Sequence, residues 1–251
     1  MVDLTGQLAI VTGGARDIGR AICLQLARCG AQVAFCYRES EAAAAETLAA
    51  LRQTGAAALA VQADVTRPAD IARFLAAAHS AFPAPIDILV NNAGGLLARR
   101  KMDEMDEAFW DAVMAVNLKS TFLVTQSVLP RMRDGGAIVN QASQAARDGG
   151  GPGAIAYATS KGALLSFTRG LAKELGPRRI RVNAVCAGMI ATRFHDDFTP
   201  PETRRRVAAA VPLGREGQAG EVAALTAFLA GSAAAYINGA CLDINGGLLF
   251  S

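Results

Sequence analysis

The sequence predicts a doubly wound α/β domain, and three observations carry that prediction. Short apolar runs alternate with long, alanine-rich amphipathic segments along the whole chain. The runs are apolar throughout rather than at every second position, as expected of parallel strands covered on both faces. At 251 residues, with 52% hydrophobic and 19% charged, the chain is large and apolar enough to bury such a sheet.

Leu8 to Val11 reads as the first strand, and the glycine turn after it opens a helix from about Ile18 to Arg28. Gln32 to Tyr37 is the second strand, Glu41 to Gln53 a helix and Ala58 to Gln62 the third strand. Pro68 suits the first turn of a helix reaching Phe82, where its missing N–H has no partner to lose. Ile86 to Asn91 is strand four, ending in Asn91-Asn92-Ala93-Gly94. Two helices follow, about Glu104 to Val116 and Ser120 to Arg133, with a kink expected at Pro130. Ala137 to Gln141 is strand five, Ile155 to Leu175 a helix and Ile180 to Val185 strand six. Gly188 to Gly217 reads as an irregular insertion with a short helix at Pro201 to Ala210, long enough to serve as a lid. Helix Gly220 to Leu229 and strand Cys241 to Ile244 close the chain. With no repeat and no linker, residues 1–251 are expected to form one Rossmann domain, its ligand crevice at the carboxyl ends of the strands.

A formal charge of +3 argues against nucleic acid or a membrane surface as partner. No apolar run approaches the ~18 residues of a membrane span, and the start lacks a signal-peptide pattern. The five cysteines are scattered without a C-x-x-C, which suits core residues in a reducing cytoplasm and no metal site.

The chemistry concentrates between Ser143 and Lys161. On a helix, Tyr157 and Lys161 stand at i and i+4 on one face. A cation beside a phenol favours the phenolate and brings a value near ~10 towards a useful range. Ser143, at the end of strand five, offers a hydroxyl to a bound carbonyl oxygen. Upstream, Thr12-Gly13-Gly14-Ala15-Arg16-Asp17-Ile18-Gly19 joins a strand to a helix, so backbone N–H groups and a helix N-terminus face a pyrophosphate. Strand two closes in Cys36-Tyr37-Arg38 rather than an acidic residue. Arg38 with Arg16 suits a ribose 2′-phosphate, hence NADP(H), while Glu39 keeps NAD(H) possible. Asp64-Val65 reads either as a contact to the adenine edge or as a turn cap.

The glycine turn, Asn91-Asn92-Ala93-Gly94, Asn117, Ser143, Tyr157-x-x-x-Lys161 and Ile244-Asn245-Gly246-Gly247 occur in one order. In this the chain resembles the short-chain dehydrogenase/reductase family over essentially its whole length. The resemblance implies a seven-stranded parallel sheet of order 3-2-1-4-5-6-7, hydride transfer with NAD(P) and a homotetramer. It implies Tyr157 as general acid in reduction, Lys161 on the nicotinamide ribose, Ser143 on the substrate carbonyl and Asn117 holding a relay water. Asn91, Ala93, Gly94, Gly188, Ile190 and Thr192 are the remaining cofactor contacts it implies. Asn117 also reads as a plug for a helix kink.

Three positions depart from that pattern. Asp17 stands where the family has a glycine; its carboxylate either repels the pyrophosphate or, as favoured here, turns outwards to cap the helix and pair with Arg16 or Arg20. Ala187 replaces a proline, leaving the Gly188 turn less stiff. Gln141-Ala142 precede Ser143 where Ser or Gly is usual. For the substrate, Phe194 and Phe198 suggest an apolar wall, and His195, Arg193 and Arg147 a polar rim. The chain is similar to 3-oxoacyl-acyl-carrier-protein reductases, and Arg131, Arg133, Arg178 and Arg179 read either as a docking face for the carrier or as a solvated face. The alternatives are a sugar or sugar-acid dehydrogenase and a nucleotide-binding regulator without turnover.

Overall fold

A computed structural model describes residues 2–250. Seven strands form one parallel sheet: β1 (Leu8–Thr12), β2 (Gln32–Tyr37), β3 (Ala58–Gln62), β4 (Ile86–Asn91), β5 (Met132–Gln141), β6 (Arg181–Ala187) and β7 (Cys241–Ile244). Their order is β3-β2-β1-β4-β5-β6-β7, the one the motif pattern implied. Every residue of β1 and β4 is buried, which is why those runs do not alternate. On one face α3 (Pro68–Ala81), α5 (Ser120–Val128) and α7 (Ile155–Glu174), the last preceded by the single turn α6 (Ala145–Asp148), cover a core built on Phe74, Leu89 and Ile138. On the other, α1 (Asp17–Arg28), α2 (Glu41–Gln53) and α10 (Ala219–Ala230) cover Phe35, Val11 and Val90.

Among the described residues the buried side-chain polar atoms are paired, as burial requires, except Asn91 Oδ1 and Gln144 Oε1. Asn91 Nδ2 donates to Thr125 Oγ1 at 3.1 Å and to Asn140 Oδ1 at 2.9 Å, and Asn140 donates on to Thr168 Oγ1. Arg181 donates to the carbonyls of Leu229, Ala230 and Gly231, satisfying the end of α10. Asp87, buried, accepts from the Leu8 N–H and pairs with Arg133, pinning the start of β1.

The structure corrects the sequence between residues 104 and 141. The two expected helices form one helical run: α4 (Glu107–Met114), a π turn over Ala115–Lys119, then α5, with Leu129–Arg131 as a final 3₁₀ turn. Pro130 therefore ends the run rather than kinking it. β5 begins at Met132, five residues early, because Ile86 pairs with Met132 before the register shifts. This run, Glu107–Arg131, has 25 residues and a mean hydropathy of 1.3 over an 18-residue window, long and apolar enough to cross a membrane by length and composition, although polar residues such as Asp111, Asn117 and Lys119 break it. Packing accounts for its apolar face: Val113, Val124 and Val128 are buried in the fold. The 188–217 segment is also more ordered than expected, carrying α8 (Arg193–Phe198) as well as α9 (Pro201–Ala210).

Candidate active site

The carboxyl ends of the strands open into a cavity of about 700 Å³. Gly13, Arg16, Asp17, Ile18, Gly19, Tyr37, Arg38, Asp64, Val65, Ala93, Gly94, Ser143, Tyr157, Lys161, Gly188, Ile190 and Thr192, seventeen of the residues singled out from sequence, line it. It runs from the arginines at the end of β2, past the β1–α1 turn, to Ser143 and Tyr157. Gly19 packs so tightly that a Cβ there would lie 2.0 Å from the Gly13 carbonyl oxygen. A Cβ on Gly94 would meet Asn117 Oδ1 at 2.6 Å and Lys161 Nζ at 3.2 Å. These close approaches keep side chains out of the floor of an elongated groove.

At the inner end, Tyr157 and Lys161 leave α7 one turn apart. Lys161 is 4% exposed, and its Nζ donates to the Gln141 carbonyl at 2.7 Å, so the Gln141 position acts through its backbone. Burial brings the ammonium down from 10.5 to about 8. The expected acidification of Tyr157 does not occur in this state: burial raises the phenol above its ordinary value, and a hydrogen bond with Ser143 only partly offsets it. Geometry gives the reason, because Nζ lies over the ring face, 5.7 Å from its centroid. The result is a phenol that holds its proton, bonded to a serine hydroxyl, above a cation of tunable charge. Ser143 Oγ also accepts from the Ala145 N–H at 3.2 Å.

Two expected site residues stand elsewhere. Asn91 points into the sheet, where Thr125 and Asn140 hold its amide; strand alternation places Asn92 at the cavity instead. Asn117 is fully buried in the π turn and does not line the cavity. Its Oδ1 accepts from the Gly95 N–H at 3.0 Å, and its Nδ2 donates to the Gly95 and Val113 carbonyls. The side chain thus plugs the widened turn and fixes the loop carrying Gly94. Asp64 keeps its place in the lining, but its carboxylate accepts from the N–H and hydroxyl of Thr66, the turn-cap reading.

The cofactor end fits an extended dinucleotide. Arg16 and Arg38 both reach the cavity, each side chain 51% exposed. Arg38 Nε lies 2.7 Å from Glu39 Oε1, a solvent-screened pair that a phosphate can replace. Ser40, beside them, was missed because a lone serine after a strand carries no signal. Near Gly188, the Oε1 of Gln144 is buried without a protein partner, an acceptor available to a ligand amide. The Gly188 turn is not loose despite Ala187. Its N–H donates to the Ile244 carbonyl at 3.0 Å, while Met189 and Ala191 are tied to Gly217. Among the described residues no cluster of His, Cys, Asp or Glu could hold a metal ion.

The outer wall is aromatic. Phe194 lies 5.8 Å from the Tyr157 ring and 5.4 Å from Phe198, with Leu96, Val207 and Leu248 completing an apolar surface. Of the expected polar rim only His195 lines the cavity: Arg147 is engaged by Asp243 and the Cys241 carbonyl, and Arg193 does not line it, whereas Arg99, bonded to the Phe198 and Pro152 carbonyls, does. His195 lines it but bonds Thr199, and burial lowers its pKa, as does the neighbouring Arg204.

Comparison with known proteins places these features in context. A family model described as enoyl-(acyl carrier protein) reductase matches residues 13–249. A 3-oxoacyl-[acyl-carrier-protein] reductase of Synechocystis is 38% identical over 256 residues, covering 99% of both chains. A short-chain dehydrogenase/reductase from Serratia marcescens is 38% identical with a TM-score of 0.92, covering 98% of each chain. A blue fluorescent protein from a metagenomic library, solved with NADPH, is 37% identical with a TM-score of 0.92, covering 99% of this chain and 100% of its own.

Proposed function

The chain belongs to the short-chain dehydrogenase/reductase family and is an NAD(P)-dependent oxidoreductase, and on that premise we propose that it reduces a ketone to a secondary alcohol with NADPH. The observation that carries the proposal is the convergence of the Tyr157 phenol, the Ser143 hydroxyl and Lys161 Nζ at the closed end of a groove sized for a dinucleotide. Bound NADPH would be held by the β1–α1 turn, Arg16, Arg38, Lys161, Ile190 and Thr192, and would supply the hydride. Ser143 orients the carbonyl oxygen, and Tyr157 donates a proton to it as negative charge develops there. A phenol raised by burial stays protonated at neutral pH, the state a donor needs. Asn117 supports the site by holding the loop that carries Gly94, since its amide is engaged by Gly95 and Val113.

An apolar ketone or 3-oxoacyl group suits the Phe194–Phe198 wall better than a sugar acid, because Arg147 and Arg193 do not line the cavity and Arg99, which does, is engaged by the Phe198 and Pro152 carbonyls. The four-arginine face carries no support for a carrier protein. Arg133 and Arg178 are paired with Asp87 and Asp134 at the start of β5, the end of the sheet opposite the site. Self-association as a homotetramer is part of the proposal, supported by exposed Phe122, Ile155, Tyr236 and Phe250; a one-chain mass by light scattering would exclude it. A cytoplasmic location, which five free cysteines support, is checked by cell fractionation. The function itself is tested with NADPH and a panel of apolar ketones, a 3-oxoacyl thioester and keto sugar acids. No oxidation of NADPH with any of them would overturn the reductase reading in favour of a nucleotide-binding regulator.

The shift at Lys161 sets a pH dependence. Its pKa falls from 10.5 to about 8, so the ammonium is present below that pH and neutral above it. If the cation is needed, kcat/KM, which reports the free enzyme, declines about tenfold per unit above about pH 8. Between 8 and 10.5 the unfolded chain binds the proton the native chain has lost, so this group makes stability rise with pH there. A kcat/KM profile flat through that window would remove the charged form of Lys161 from the reacting set.

A further inference from the structure

Asp17 has a backbone φ of 51°, a left-handed conformation that side-chain-bearing residues avoid and that Asp and Asn tolerate best. This explains why glycine suits the position, and it leaves open what the carboxylate does. It does not cap its own helix: the start of α1 has no side-chain cap hydrogen bond. Arg16 Nε is 3.9 Å from Oδ2, at the limit of an ion pair, and Arg20 pairs with Glu46. The side chain instead reaches across the groove, where Oδ1 accepts from the backbone N–H of Arg193 at 3.2 Å. Arg193 is the first residue of α8, and the next is Phe194, whose ring faces Tyr157. The far end of α8 is anchored separately. Arg99 donates to the Phe198 carbonyl at 2.8 Å, and Arg204 pairs with Asp196 and Glu216.

We propose that Asp17 is a positioning residue that docks the first turn of the 188–217 lid on the cofactor loop and thereby sets the aromatic wall of the substrate pocket. The carboxylate accepts the otherwise free N–H of Arg193 and holds Phe194 at its distance from Tyr157. The same carboxylate puts a negative charge at the helix end that would receive the diphosphate, so the docking comes with weaker cofactor binding.

Two variants separate these effects. Asp17→Asn keeps a carbonyl acceptor and tolerates the backbone angle but loses the charge; Asp17→Gly relieves the angle and loses the acceptor. In the cofactor-free protein, Asp17→Gly should speed amide hydrogen exchange at residues 193–198 by about tenfold, the loss of roughly one hydrogen bond. It should also raise the ketone KM more than it lowers kcat. Asp17→Asn should stay close to the wild type in both respects, and both variants should bind NADPH more tightly. Unchanged exchange in Asp17→Gly, or an Asp17→Asn variant as loose as Asp17→Gly, would overturn the docking role. The kinetic arm rests on the ketone-reductase reading. A wild type that oxidises no NADPH would sink that reading alone, while the exchange comparison still decides the role of Asp17.

Discussion

Replacing Tyr157 by Phe is expected to lower kcat for ketone reduction by about 10²- to 10⁴-fold, the usual contribution of a positioned acid, while NADPH still binds. The substitution removes one oxygen and little else. The ring remains for Phe194 to pack against at its present 5.8 Å, so the wall of the pocket survives. Lys161 keeps its bond to the Gln141 carbonyl, which does not involve the phenol. What disappears is the phenolic O–H beside Ser143, and with it the proton that must reach the carbonyl oxygen as charge builds there. A second effect follows: Ser143 loses its partner and can rotate towards the Ala145 N–H it already contacts. Steady-state kcat for the best ketone of the panel, set beside fluorescence titration with NADPH, checks both halves. A variant that keeps most of its rate would remove Tyr157 from the acid role; one that loses NADPH binding would mean the phenol supports the cofactor instead.

How far the sequence reaches depends on the range of the interaction. Tyr157 and Lys161 are legible because one helical turn brings them together, and the strands are legible because a doubly covered sheet writes unbroken apolar runs. Asp134-Gly135-Gly136 hid the start of β5, since a β-irregularity resembles a loop until its partner Ile86 is known. The π turn at Ala115–Lys119 has no composition of its own; it shows only through Asn117 and the Gly95 loop it holds, 22 positions away. Asn91 and Asn92 could be told apart only by knowing which face of β4 meets α5. Asp17 was visible as an oddity, yet its partner lies 176 residues on, and no local rule connects the two. The direction of the Tyr157 shift failed for a different reason. A nearby cation is a local argument, whereas burial comes from the packing of the whole site.

The double substitution Arg16→Ala and Arg38→Ala should weaken NADPH binding by about 10²-fold and NADH binding by only a few-fold. The magnitude follows from exposure. A hydrogen bond to a charged group contributes ~1.5–3 kcal/mol, and two guanidiniums each 51% exposed belong at the screened end of that range, about tenfold apiece. Neither arginine is committed to the fold. Arg16 only approaches Asp17, and Arg38 pairs with its own neighbour Glu39, so their loss removes charge without opening the core. Glu39 acts against the preference, because its carboxylate competes with a phosphate for the same guanidinium. Asp64 does not restore NAD selectivity, since its carboxylate is engaged by Thr66 and stands at the end of β3, not of β2. NADPH affinity of the wild type should therefore weaken as ionic strength rises, and that of the double variant should scarcely respond. Dissociation constants for both nucleotides at low and moderate salt decide the matter. Equal losses for NADPH and NADH would place the 2′-phosphate elsewhere and make the two arginines a solvated edge of the groove.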